Sequence, residues 1–216
     1  MILTHGANSL QVSSGGAVIG GRTYRTVVMP DGKEWLAENL DYKWTGLTVD
    51  ASGTSDSEPR ASYYNNDEAT YGIDGTYKCG LLYNHQAVKY LNDNKSTLCP
   101  GWHVPSSTEW YNLLTACGGA GNTSGMAMAA EYGSIASSFP GWNTRPTDDY
   151  GFSILPCGRK TTSWGGSFDQ FNDNGFYNSS DNGIYASWMI IDKSTSTSTT
   201  AYGDIAHEIS LRLVKD

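Results

Sequence analysis

Hydrophobic and polar positions alternate at period two in several short runs and at a helical period in two. Tyr24, Thr26 and Val28 alternate with Thr23, Arg25 and Val27, which predicts a strand. Ile19 and Gly20-Gly21 predict a shorter strand and a turn before it. Pro30-Asp31-Gly32-Lys33 predicts a turn with glycine at positive φ, and Glu34–Leu40 a strand that carries Trp35 inward. Gly80–Asn84 reads as another strand. Ala87, Val88 and Leu91 then share one side of a helix that begins at His85 and ends at Asn92-Asp93-Asn94. The second helical run is Trp110, Leu113, Leu114 and Cys117, spaced i, i+3, i+4, i+7. Ser106 and Glu109 before it have the spacing of a capping box, Pro105 keeps Val104 extended, and Gly118-Gly119 gives a cheap left-handed stop. Trp102 and Trp110 are too large to leave exposed without cost, so both are assigned to one core.

Downstream, Met126–Tyr132 predicts a short helix and Gly151–Arg159 a strand ending in a tight turn. Short strands follow at Gly175–Asn178 and Ile184–Ile191. Ile209, Leu211 and Leu213 alternate as a half-buried closing strand. Thr48 to Arg60 has little to bury and predicts a long surface loop. The small, polar residues 1–17 form an arm or linker, and 18–216 is one domain. With 7 Trp, 14 Tyr and 25 Gly, the chain favours a β-rich, loop-rich α+β fold over a helical bundle.

The formal charge of −8 comes without a basic stripe, which argues against a nucleic-acid partner. No run approaches the roughly 18 apolar residues of a membrane span, and residues 1–9 lack the charged and apolar regions of a Sec signal. Cys79, Cys99, Cys117 and Cys157 form no C-x-x-C pair, so zinc is not expected. Two disulfides, in any of three connectivities, suit an exported domain; free buried thiols suit a chain without a signal, and these are the expectation here. Asp67, Glu68 and Asp74, near Asn65 and Asn66, offer oxygens for calcium, yet the Ca-loop spacing is missing and a solvated loop is the simpler reading. No cofactor is expected. A thiol–imidazole pair between Cys157 and His85, His103 or His207 is the one catalytic arrangement to consider. His103, inside a Trp-His-Val-Pro turn, reads better as a structural hydrogen-bonding group. No G-x-S-x-G, H-E-x-x-H or P-loop occurs, and the scattered acids nominate no glycosidase pair, so the chain is read as no enzyme.

Several runs appear in a fixed order: Gly32-Lys33-Glu34-Trp35-Leu36-Ala37-Glu38-Asn39-Leu40, Gly80-Leu81-Leu82-Tyr83-Asn84, Cys99-Pro100-Gly101-Trp102-His103-Val104-Pro105, Glu109-Trp110, Gly151–Pro156 and Ser210–Asp216. Together they resemble the Fibrobacter succinogenes major paralogous domain family, over roughly residues 18–216. The resemblance implies a branch of the C-type lectin-like superfamily: antiparallel strands, two main helices, long loops, and chain ends meeting in one sheet. It implies surface-facing recognition with no known catalysis. Family members commonly end in Val-Arg-Cys; Leu211-Arg212-Leu213 stands here instead, which removes a partner for Cys99 and fits a chain that does not rely on an oxidising compartment. Tyr177-Asn178-Ser179-Ser180 stands where members often carry a Trp before paired serines.

The chain is also similar to variable proteins of diversity-generating retroelements, which include phage tail receptor-binding proteins. These place diversified residues in a C-terminal segment before a constant strand. Residues 163–207 have that place, and their Ser, Thr, Asn, Asp, Gly, Tyr and His all arise by altering adenines in an Asn codon. Tyr, Trp and Phe give contact area at low entropic cost, while Asn and Ser adapt their hydrogen bonds. The predicted ligand-binding residues are Trp164, Phe168, Asn172, Asn174, Tyr177, Asn178, Ser180, Asn182, Tyr185 and Ser187, with Phe176 and Trp188 in the core. The expected partner is a protein or glycan on a cell surface, with residues 1–17 available for attachment to a larger particle. An ordinary adhesin module is the alternative. The calcium-lectin triplets Glu-Pro-Asn and Gln-Pro-Asp are absent, and Phe171-Asn172-Asp173 is a poor stand-in for Trp-Asn-Asp, so no obligatory calcium is expected at the binding face.

Overall fold

A computed structural model describes residues 16–50, 52–119, 128, 147–162, 165–181, 186–192 and 198–216, with 186–192 and 198–202 described by backbone alone. The architecture is α+β. The strands are β1 (Ala17–Ile19), β2 (Arg22–Tyr24), β3 (Thr26–Val28), β4 (Glu34–Leu36), β5 (Thr48–Val49), β6 (Arg60–Ser62), β7 (Leu82–Tyr83), β8 (Trp102–His103), β9 (Cys157–Lys160), β10 (Phe168–Phe171), β11 (Asn174–Asn178), β12 (Ala186–Asp192), β13 (Ser198–Gly203) and β14 (Val214–Lys215). The helices bounded within the described residues are α1 (Glu68–Tyr71), α2 (His85–Asp93), α3 (Lys95–Leu98) and α4 (Ser107–Ala116). β1 and β2 form a hairpin, β3-β4-β14-β8 a four-stranded sheet, β5-β6-β7 a three-stranded one and β10-β9-β11-β12-β13 a five-stranded one. Between the strands named here pairing is antiparallel apart from β5 with β6 and β11 with β9. Among the described residues no helix is long and apolar enough to cross a membrane.

The local signals hold where they are self-contained. Gly20 and Gly21 turn at positive φ between β1 and β2. Asn84 caps α2 by accepting from the Ala87 N–H. Ser106 caps α4, with Glu109 reaching back to the Ser106 N–H at 2.8 Å, so the capping box is complete. Trp110 on α4 is fully buried; its ring lies 4.8 Å from Trp35 and 5.9 Å from Tyr177, and its Nε1 donates to the Asn178 carbonyl. Trp102 and Phe176 are core residues too.

The closing segment corrects the half-buried expectation. From Glu208 to Val214 both faces are buried, polar residues included. The segment runs between sheets rather than along an edge. Glu208 exchanges backbone hydrogen bonds with Lys160 of β9, and Ile209 with Tyr83 of β7. Asn178 N–H donates to Ser210, Leu40 to Leu211 and Leu36 to Leu213. Val214 then pairs with both Trp35 and His103. Beside this seam Lys160 Nζ donates to Ser62 Oγ at 2.9 Å and lies 3.4 Å from Glu208 Oε1, all three residues buried.

Other expectations change. Cys79 and Cys157 form a disulfide with a Cα–Cα separation of 5.6 Å, and only Cys99 and Cys117 remain free, so four free thiols is not the state of the fold. Cys99 points its buried thiol at the Trp102 carbonyl. The strand predicted over Gly151–Arg159 begins only at Cys157. Ser153 sits at φ 56°, held by Asp148, which accepts from its N–H and its hydroxyl. Glu34–Leu40 is a strand only to Leu36. Tyr24–Val28 is broken at Arg25 into β2 and β3. Thr48–Val49 leaves the predicted loop to pair with β6, and Ala17 already belongs to β1. Of Met126–Tyr132 the structure describes Met128, which is helical and buried; residues 1–15 of the arm lie outside the described residues.

Candidate functional site

Strand β10 and the turn that leads from it across β9 to β11 are the part of the predicted face that presents side chains together. β10 is an edge strand, antiparallel to β9, with Phe168 opposite Lys160 and Phe171 opposite Cys157. The crossing is close enough that a Cβ on Gly158 would meet the Asp169 carbonyl at 2.4 Å. The turn is built from Asn172 at φ 65° and Gln170 at φ 58°, and Asn174 Nδ2 donates to Gln170 Oε1. A left-handed backbone at Asn is common; at Gln it is a strain that folds usually avoid.

Phe168 and Phe171 meet three tyrosines from the other side of the chain. A 3-10 turn at Tyr64–Asn66, with Asn65 and Asn66 at positive φ, leads into α1 through Asp67, whose carboxylate accepts from the Thr70 N–H. Tyr64 lies 5.1 Å from Phe168 and 4.9 Å from Phe171. Tyr71 stacks on Tyr77 at 5.2 Å, and both meet Phe171 edge-on. Tyr64 is nearly buried, and burial pushes its hydroxyl up to about 12. The other four rings are half-buried, and Asn65 and Asn66 beside them are exposed. The result is a rigid aromatic floor edged by carboxamides, with Asp169 held by Arg159 at 2.9 Å.

The ten predicted binding residues therefore divide. Phe168, Asn172 and Asn174 lie on β10, the turn after it and the first residue of β11. Tyr177 and Asn178, predicted to bind the ligand, are buried. β11 is a central strand, so Tyr177 packs on Trp110, and Asn178 Nδ2 donates to the Tyr83 and Ile209 carbonyls. Neither side chain is open to solvent. Ser180 is half-buried elsewhere, its N–H bonded to the Pro105 carbonyl. Ser187 lies in β12, where the backbone alone is described. Trp164, Asn182 and Tyr185 lie outside the described residues. Sequence reading missed Tyr64, Tyr71 and Tyr77. The available signal was the Tyr63-Tyr64-Asn65-Asn66 run, aromatics followed by residues tolerant of positive φ.

The alternative chemistries fare as follows. Cys157 is held in the disulfide, so the thiol–imidazole pair is not formed, and burial pushes the Cys99 and Cys117 thiols up to about 12. His103 bridges Glu109 Oε1 at 2.9 Å and Asp216 Oδ1 at 2.8 Å. The calcium candidates have other duties: Asp67 caps α1, Glu68 pairs with Lys43, and Asp74 pairs with Arg22. Among the described residues no group of three His, Cys, Asp or Glu side chains is placed to hold a metal ion.

In comparison with known proteins, the model of the Fibrobacter succinogenes major domain matches residues 30–215. No curated protein and no solved structure matches the chain.

Proposed function

Since the chain belongs to the Fibrobacter succinogenes major domain family, we propose that it is a non-catalytic recognition module of C-type lectin-like type, which binds a glycan or protein surface through the β10–β11 face. The observation that carries this reading is the five-ring floor of Tyr64, Tyr71, Tyr77, Phe168 and Phe171, four of them half-buried, beside Asn65, Asn66 and Asn172. Rings locked by their neighbours lose little entropy on binding, and the carboxamides supply hydrogen bonds that fix orientation. Among the described residues of this face no cluster of carboxylates is placed to hold calcium.

The test is binding of the purified chain to a printed glycan array and to intact bacterial cells. Tyr71→Ala and Phe168→Ala are each expected to weaken binding about tenfold or more, the usual effect of removing an aromatic anchor. Addition of a chelator is expected to leave binding unchanged. Wild-type binding by both variants would overturn the reading.

In the retroelement version of this function, residues 163–207 carry diversity. The burial of Gly175, Phe176, Tyr177 and Asn178 limits where it is tolerable. A template repeat next to a reverse transcriptase gene should differ at adenines for positions 168–174 and spare 175–178. Without such a repeat, the ordinary adhesin reading takes its place.

A further inference from the structure

Most described Lys and Arg side chains lie within ion-pair distance of a carboxylate, as Arg22 does with Asp74 and Lys95 with Asp216. Among the described residues three do not: Arg25, Lys78 and Arg212. All three line one cavity of about 430 Å³. In a chain that carries eight excess negative charges, this sorting is not expected from composition.

The two guanidiniums are bonded to neutral oxygens. Arg25 donates to the Gly151 and Ala37 carbonyls and to Ser153 Oγ. Arg212, fully buried behind it, donates to Asn39 Oδ1 and to the Leu36, Phe152 and Ser153 carbonyls. Burial and the nearby charge of Arg25 both hold the Arg212 pKa down. Lys78 is exposed and makes no side-chain hydrogen bond. Two carboxylates share the lining. Both oxygens of Asp148 are taken by Ser153. Glu38 uses Oε2 to accept the Arg25 N–H, which leaves Oε1 open. The lining is therefore net positive, with one open acceptor. Lys78, Asp148 and Ser153 also hold positive φ, at 53°, 45° and 56°, a strain that collects at binding sites.

We propose that this cavity binds a hydroxylated carboxylate of monosaccharide size, a uronic acid, with its carboxylate on Arg25 and Lys78 and a hydroxyl donating to Glu38. A bare inorganic anion would fill a small part of the space, which falls in the range of small-molecule sites. A phosphate dianion would meet Glu38 and Asp148 as like charges; a single carboxylate meets less repulsion. The inference does not rest on the aromatic face, with which the cavity shares no residue.

The experiment is an NMR titration of the ¹⁵N-labelled chain with D-glucuronate, D-glucose and inorganic phosphate. Glucuronate should give saturable shifts at residues 37–39, 78 and 148–153, and bind at least about tenfold more tightly than the other two. Lys78→Gln should weaken glucuronate binding about tenfold, the effect of one charge-assisted hydrogen bond. It should leave the thermal midpoint unchanged, because Lys78 holds nothing in the fold. Arg25→Gln, which also breaks bonds to Gly151 and Ala37, serves as a second variant. The proposal is overturned by no saturable shift up to about 20 mM, by glucose or phosphate binding as well as glucuronate, or by unchanged affinity in Lys78→Gln.

Discussion

Arg212 shows how much one side chain holds. It has no exposed surface, its donors end on oxygens from the 36–39 and 152–153 segments, and its guanidinium lies 4.5 Å from the Phe152 ring centre. Arg212→Leu would orphan several buried carbonyls at once. The expected loss is about 3 kcal/mol or more, read from urea unfolding. Arg212→Lys should not restore it, since an ammonium cannot span acceptors set for a planar fork. The sequence does not disclose this role. In Leu211-Arg212-Leu213 the polar member reads as the outward one of an alternating strand, and only tertiary burial on both faces reverses that. Tyr177 misleads in the same way: it belongs to the same polar-aromatic stretch as Phe168, and nothing local separates a central strand from an edge. Ser106 and Glu109 were legible because both partners lie within one helical turn.

Among elements, the union of β8, α4 and the chain after β14 depends on His103. Its hydrogen bond to Glu109 is the largest influence raising its pKa, and the bond to Asp216 adds to it. Burial works against ionised Glu109, but bonds from His103, Lys33 and the Ser106 N–H outweigh it, so the carboxyl lies well below the usual range. A raised folded-state pKa means that His103 adds stability fully below its unfolded value of about 6.5 and loses it as pH rises through the folded value. His85 and His207, whose pKa values burial lowers, act in the opposite sense. The clean measurement is therefore a difference. The denaturation midpoint of wild type should exceed that of His103→Gln at pH 6, and the gap should narrow toward pH 8.5. A gap independent of pH would show that the ring acts by packing alone. Helices α2 and α4 were readable from periodicity and caps. The short strands were readable mainly as existence, since β3, β4 and β9 end where tertiary partners end rather than where composition changes.

At the scale of the molecule, the Cys79–Cys157 disulfide closes a loop of 78 residues within the core that holds Trp35 and Trp110. Chain-entropy bookkeeping gives about 4.5 kcal/mol for a loop of that length. Cys157→Ser, or reductant added to wild type, should lower the thermal midpoint by several degrees, seen by calorimetry; an unchanged midpoint would remove the disulfide from the account of stability. The cysteine count alone left this pairing open, because neighbours 78 residues apart leave no local trace. The fold class and the family were legible in the order of the Trp- and Gly-bearing runs. The aromatic floor was legible by halves, since its tyrosines and its two phenylalanines lie about a hundred residues apart in sequence. β14 lies between β4 and β8, and residues 208–213 bond to strands from every larger sheet. A nascent chain that has left the ribosome only as far as residue 206 thus holds its sheets without the strand that joins them. The joining of the three larger sheets therefore rests on one segment, residues 208–214, that follows all but the final short strand of the domain in sequence.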